Sequence, residues 1–148
     1  MTGRTNEQVI HDYLRAFTER DDSTLAALRD PAWICDYPQS GERIRGHANE
    51  QAITDHYPGG LPEIDPSRVL GSEDQWVVTP SFTFERVAGS GDTWWAEGQA
   101  RYPDGSVWFV ANLYRLRGGR IVHEVTYWAE PFEPPAWRAA WMERIKPD

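Results

Sequence analysis

The sequence predicts an α+β domain in which N-terminal helices cover one face of an antiparallel sheet, and three observations carry that expectation. Apolar residues recur at helical spacing in the first third of the 148-residue chain. Beyond about residue 66 the pattern changes to alternation with period two. The alternating runs are separated by "SED", "GSGD", "PDG" and "GG", short Gly- and Asp-rich connections that suit hairpin turns. Helices first and a meander after, in a chain of this size, make one two-layer domain over residues 1–148 with a single core.

Each element has its own signal. Thr5 followed by Gln8 fits a capping box, and Val9, Ile10, Tyr13, Leu14 and Phe17 then mark one helical face, so a first helix is expected from about residue 6 to 20. "DDSTLAALRD" reads as a second short helix, capped by Asp21, Asp22 or Ser23 and stopped by Asp30-Pro31. "AWICDYP" is a brief strand ended by Pro38, "SGERIRG" a turn with a short strand, and "HANEQAITDHY" a third helix stopped by "PGG". A Pro-rich loop runs through Pro66. Period-two strands follow in "SRVLG", "QWVVTPSFTFERV", "TWWAEGQARY", "SVWFVANLYRLR" and "GRIVHEVTYWAE", with Pro80 marking a bulge or an edge. "PPAWRAAWMERI" closes the chain as a helix, with Pro135 in its first turn and Trp137 and Trp141 one turn apart. That helix is a candidate lid over a pocket, its own or a partner subunit's.

Composition narrows the partners. Fifteen Lys and Arg against 23 Asp and Glu give a net charge of −8, which disfavours nucleic acid and anionic membrane. No run approaches the roughly 20 apolar residues that span a bilayer. The polar start "MTGRTNEQ" and the single Cys35 lead to an expectation of a reducing cytoplasm. His11, His47, His56 and His123 show no metal-ligand spacing, and no Gly-rich loop sits where it would cradle a phosphate. Neither a metal nor a cofactor is expected. Eight tryptophans, spread from Trp33 to Trp141, suit a core, a subunit interface or an aromatic-lined pocket alike.

Three stretches, "HDYLRAF", "CDYPQSGERIRG" and "NLYRL…GGRIVHEVTYWAE", resemble the nuclear transport factor 2-like, or SnoaL-like, superfamily of ketosteroid isomerases, polyketide cyclases and scytalone dehydratase. The element order matches over nearly the whole chain, and the resemblance implies a cone: a curved antiparallel sheet wrapped around the N-terminal helices, with a C-terminal helix. It also implies a homodimer and a pocket for a small hydrophobic molecule. Tyr13 falls where the isomerases place the tyrosine that hydrogen-bonds the substrate oxyanion. Asn112 falls on their second oxyanion donor, and an amide N–H also donates. Their catalytic aspartate aligns with Tyr37, while Asp36 precedes it and points to the opposite face of a regular strand.

Glu124 is the substitute candidate for the base, Asp36 is the other candidate to move the proton, and Tyr37 is expected to orient substrate or water. "TYWAE" resembles the isomerase strand whose tryptophan lines the substrate cavity, and the register this implies puts Glu124 on the cavity face with Val122, Thr126 and Trp128, where burial on an apolar wall raises a carboxyl pKa. Alternation from Asn112 adds Trp108, Val110 and Tyr114 to the ligand-binding set. Two function classes stay open. One is a cofactor-independent acid–base enzyme, an isomerase, cyclase or dehydratase acting on a small apolar carbonyl or hydroxyl compound. The other is a non-catalytic ligand-binding or dimerisation module, in which the tryptophans stack on a ligand or fill the cone. A carboxylate pointing inward beside Tyr13 separates them. As separate alternatives for single residues, Glu124 pairs with Arg101 or Arg120 on an exposed sheet face, and Cys35 is a small buried hydrophobe.

Overall fold

Thr5 opens the first helix, α1 (Asn6–Glu19), by the reciprocal capping box: its hydroxyl accepts from the Gln8 N–H at 3.2 Å, and its own N–H donates to the Gln8 side chain at 2.9 Å. This is the arrangement in the computed structural model, which describes residues 3–56, 81–101 and 105–145. The helix buries Val9, Ile10, Tyr13, Leu14 and Ala16 on one face, the face its apolar spacing selects. It stops at Arg20, whose left-handed φ of 58° turns the chain away.

Asp21 caps α2 (Asp22–Leu28), accepting from the Thr24 N–H at 3.2 Å. The helix ends before Asp30-Pro31, and β1 (Arg29–Tyr37) begins at once. Proline offers no N–H to a ladder, so the pairing of β1 with its neighbour skips from Arg29 to Ile34. The Asp30 carboxylate bridges the gap by accepting from the Ala32 N–H at 2.8 Å. β2 (Glu42–Arg45) returns antiparallel to β1, and α3 (His47–Asp55) follows. The expected "PGG" stop, the Pro-rich loop, the "SRVLG" strand and the start of "QWVVTPSFTFERV" with Pro80 lie outside the described residues.

Four strands then form the predicted meander: β3 (Ser81–Ser90), β4 (Thr93–Arg101), β5 (Val107–Arg117) and β6 (Arg120–Ala129). The sheet order is β2-β1-β6-β5-β4-β3. The expectation of a wholly antiparallel sheet needs correction, because β1 runs parallel to β6. β1 spends one edge on its own hairpin with β2, and its other edge meets a strand whose direction the meander has already set. The sheet is mixed and open, and its α+β layout is that of the cone fold.

The expected C-terminal helix is present as a 3-10 helix, Ala136–Trp141, with Pro135 just before it and no side-chain cap. Trp137 and Trp141 are 76% and 78% exposed. Helices of this length owe their stability to a buried face, and this one has none, so it remains a short, tight turn. No helix among the described residues is long and apolar enough to cross a membrane.

The core lies between α1, α2 and the inner face of the sheet, where Ile10, Tyr13, Trp33, Cys35, Ala96, Tyr114 and Ile121 are buried together. Alternation sends Val110, Asn112, Tyr114 and Leu116 of β5 inward. On β6 the inward residues are Ile121, Glu124 and Thr126. The step of three between Ile121 and Glu124 marks a bulge, because Leu116 pairs with Ile121 while Arg115 pairs with His123. Val122 is the extra residue. It therefore leaves the face that simple alternation from Glu124 assigns it.

Candidate functional site

The inner face of this core is apolar except at one cluster, and Glu124 is its centre. Its side chain is 94% removed from solvent by relative exposure of 6%. The Tyr13 hydroxyl, from α1, donates to Glu124 Oε1. The Trp33 indole N–H, from β1, donates to the same oxygen at 2.9 Å. No hydrogen bond reaches Oε2 from the described residues.

Behind Tyr13 stands Arg29, a buried cation at the first position of β1. Its Nε donates to the Tyr13 hydroxyl oxygen at 2.9 Å. Its Nη1 and Nη2 grip the two oxygens of Glu50, from α3, at 2.5 and 3.1 Å. Nη1 also lies 2.8 Å from His47 Nδ1, and His47 Nε2 reaches Asp22 at 3.2 Å. The guanidinium sits 3.9 Å over the Trp33 ring and 5.4 Å from the Tyr13 ring centre. A buried charge survives only when paired and hydrogen-bonded, and Arg29 satisfies both conditions. Asp22, His47 and Glu50 bring three possible ligand atoms within 4.8 Å of one another, and Arg29 already contacts two of these residues, His47 and Glu50.

Burial pushes the Glu124 carboxyl above its ordinary value; the charge of Arg29 and the hydrogen bonds from Tyr13 and Trp33 oppose that rise without cancelling it. Burial, followed by the Glu124 charge, drives the Tyr13 phenol well above its own ordinary value, so Tyr13 stays a donor. Burial likewise pushes the Cys35 thiol up to about 12. Cys35 touches Thr126 Oγ1 at 3.7 Å and is otherwise a small buried hydrophobe.

A cavity of about 30 Å³ opens beside Glu124. Val110, Asn112 and Thr126 form its sheet wall, Trp33, Cys35 and Tyr37 come from β1, and Phe17, Arg29, Glu50 and Trp128 complete it. Asn112 is 6% exposed, donates to the Tyr114 hydroxyl at 3.0 Å, and leaves its buried Oδ1 without a partner. A hydroxyl both donates and accepts, so Tyr114 can hold either end of the amide. Asn112 therefore presents the cavity with a carbonyl or, turned over, an N–H₂. Trp128 is fixed along its backbone, where its N–H donates to the Gln39 side chain at 2.5 Å.

The structure thus brings Tyr37, Asn112, Glu124, Val110, Thr126 and Trp128 to one cavity, with Tyr13 directly behind Glu124. Tyr114 is buried behind Asn112 and does not line the space. Trp108 is half-buried and lies off the lining, as does the bulged Val122. Asp36 faces the other side of the sheet. There Arg43 grips it at 2.5 and 2.8 Å and His123 reaches it at 2.9 Å, which together hold its carboxyl well below the usual range. Glu124 has neither Arg101 nor Arg120 as its cation; that place belongs to Arg29. Sequence reasoning missed Arg29, Glu50, Trp33 and Phe17 as cavity residues.

No family model and no curated protein matches the sequence. Among solved structures, the chain is 31% identical to an NTF-2 like protein from Burkholderia xenovorans LB400, with 95% of each chain covered and a TM-score of 0.70. It is 19% identical to a Kribbella flavida DSM 17836 protein provisionally assigned as a ketosteroid isomerase, covering 97% of this chain and 91% of that one, with a TM-score of 0.76. It is 15% identical to an LEH-like epoxide hydrolase of M. tuberculosis, covering 83% and 81%, with a TM-score of 0.57. The last two likenesses are likenesses of fold.

Proposed function

The chain belongs to the NTF2-like family, and from that premise we propose a cofactor-independent acid–base enzyme acting on a small, uncharged, largely apolar carbonyl or hydroxyl compound. One observation carries the reading: a carboxyl, Glu124, points inward beside Tyr13 at the edge of a cavity, with its proton affinity raised by burial. A group poised closer to neutrality both takes and returns a proton efficiently. Glu124 removes a proton next to a carbonyl, or delivers one to a departing hydroxyl. Asn112 turns its N–H₂ toward the oxygen on which charge develops. Tyr37 and Trp128 position the ligand. Tyr13 has its hydroxyl committed to Glu124, so in this reading it orients the carboxyl. Isomerisation, cyclisation and dehydration all use this set.

Arg29 offers no free positive charge to a ligand, since Glu50 and Tyr13 occupy its donors. Carboxylate and phosphate substrates therefore gain nothing here. Ligand pockets span about 300–1,000 Å³, so admission of a substrate requires the half-buried Phe17, Tyr37 and Trp128 to change rotamer. The test is a panel of enolisable ketones and β-hydroxy ketones, followed by absorbance. Glu124→Gln, which keeps the acceptor for Tyr13 and Trp33, should lower kcat/KM by roughly 10²–10⁴. A variant as fast as wild type would sink the assignment.

The small volume of the cavity favours a second reading, a ligand-binding or dimerisation module whose tryptophans fill the cone. Its signature is binding that survives Glu124→Gln with no turnover by either protein. The proposed partner in both readings is a second copy of the chain. The outer sheet face supports it, since neighbouring strands there expose Trp95, Phe109, Leu113 and Tyr127.

A further inference from the structure

Arg29 and Glu50 are absent from the chemistry just described, yet they are the most costly feature of the site. A guanidinium with a side-chain exposure of 2% sits against a glutamate exposed at 20%, on a helix that otherwise buries nothing in the core. A fold that needed only apolar packing here would do as well with a hydrocarbon pair. The contacts form a chain. Glu50 neutralises Arg29 from the α3 side, Arg29 donates to the Tyr13 hydroxyl, and Tyr13 donates to Glu124.

We propose that the Arg29–Glu50 pair tunes the proton affinity of Glu124, with Glu50 acting as a positioning residue that limits how much of the Arg29 charge reaches the cavity carboxyl. The inference rests on the acid–base reading for its purpose, though not for its test. Arg29 favours ionised Glu124, both by its charge and by polarising the Tyr13 hydroxyl it donates to. Glu50 opposes it as a like charge on the far side of the guanidinium. The Arg29 charge thus lowers the proton affinity of Glu124 and the Glu50 charge raises it.

The other ionisable groups around Glu124 are accounted for element by element. Tyr13 on α1, Tyr37 and Cys35 on β1 and Tyr114 on β5 are all held neutral by burial. On α3, His47 lies with Nδ1 2.8 Å from Arg29 Nη1 and with Nε2 3.2 Å from Asp22 of α2. Glu50 is therefore the acidic group in direct contact with Arg29 that can offset it.

The experiment is a pH titration of the carboxyl carbon of Glu124 by ¹³C NMR on the full-length protein, with the resonance identified by its loss in Glu124→Gln. Glu50→Gln keeps the size and an acceptor oxygen but removes the opposing charge. Its titration midpoint should fall on the order of one pH unit below wild type. Arg29→Gln should move it in the opposite direction. Glu50 is partly exposed, so Glu50→Gln is expected to fold even where Arg29→Gln does not. Unchanged midpoints, or movement of both variants in the same direction, would overturn the proposal. The measurement needs no substrate, so an absence of enzymatic turnover leaves its outcome fully readable.

Discussion

Glu124 is the buried carboxyl at the centre of the polar cluster, and its inward face was legible in the sequence for a simple reason. A glutamate on an otherwise aromatic and β-branched strand, at the same parity as Thr126 and Trp128, must either face water or need partners, and here it finds Tyr13 and Trp33. Arg29 was not legible. It sits in the irregular start of β1 beside Asp30 and Pro31, where no periodicity assigns a face, and a buried arginine looks like any surface arginine until its partner on a distant helix is known. Val122 misled for the related reason that one bulge shifts the parity of a strand, and no residue in "GRIVHEV" announces it. The ionisation of Glu124 has a direct stability consequence. Its proton affinity is raised in the folded state, so the folded protein holds a proton that the unfolded chain releases. The stabilisation is complete below the ordinary carboxyl value of 4.5 and is lost as pH rises through the higher folded value. Urea denaturation at a series of pH values should therefore show wild type losing stability relative to Glu124→Gln as pH climbs from 4 toward neutrality; parallel curves would contradict a raised affinity.

The helices and hairpins were read where their signals are local. The Thr5–Gln8 box fixed the start of α1 because both halves of the motif lie within four residues, and the meander followed from Gly-rich two- to four-residue turns. The parallel β1–β6 pairing is long-range, set by where β1 finds an open edge, and no neighbouring residue encodes it. The C-terminal segment is a helix of the tighter 3-10 kind. "PPAWRAAWMERI" has helical spacing, but without a surface to pack on, that spacing yields only six residues of 3-10 helix. Helix α1 supplies Tyr13 to the site, so its cap matters to the cavity as well as to stability. Thr5→Ala should cost about 1 kcal/mol, measured as a lower urea midpoint with an unchanged slope; a loss below about 0.3 kcal/mol would mean the N-terminal turn is held by other contacts.

At the scale of the molecule, one wall of the sheet is a core and the other is an exposed apolar surface, and the two sides carry different chemistry. The inner side holds the Glu124 cluster. The outer side holds the Asp36–Arg43 ion pair and the Asp36–His123 contact, with Leu113, Phe109, Trp95 and Tyr127 exposed on the same face. If that outer face joins two copies, Leu113→Lys should leave the fold intact by circular dichroism and shift sedimentation from dimer to monomer; an unchanged sedimentation profile would place the dimer contact elsewhere. The tail with exposed Phe132, Trp137 and Trp141 continues directly from β6 and does not line the cavity of its own chain. On the inner side, Glu124 is proposed to move a proton to or from a molecule in the cavity. The most direct test of that transfer is deuterium uptake at the α-carbon of the enolisable ketones in D₂O, followed by ¹H NMR, because exchange reports proton transfer whether or not a product forms. The account predicts exchange catalysed by the wild-type protein and reduced by roughly 10²–10⁴ in Glu124→Gln. Equal exchange by the two proteins would contradict it.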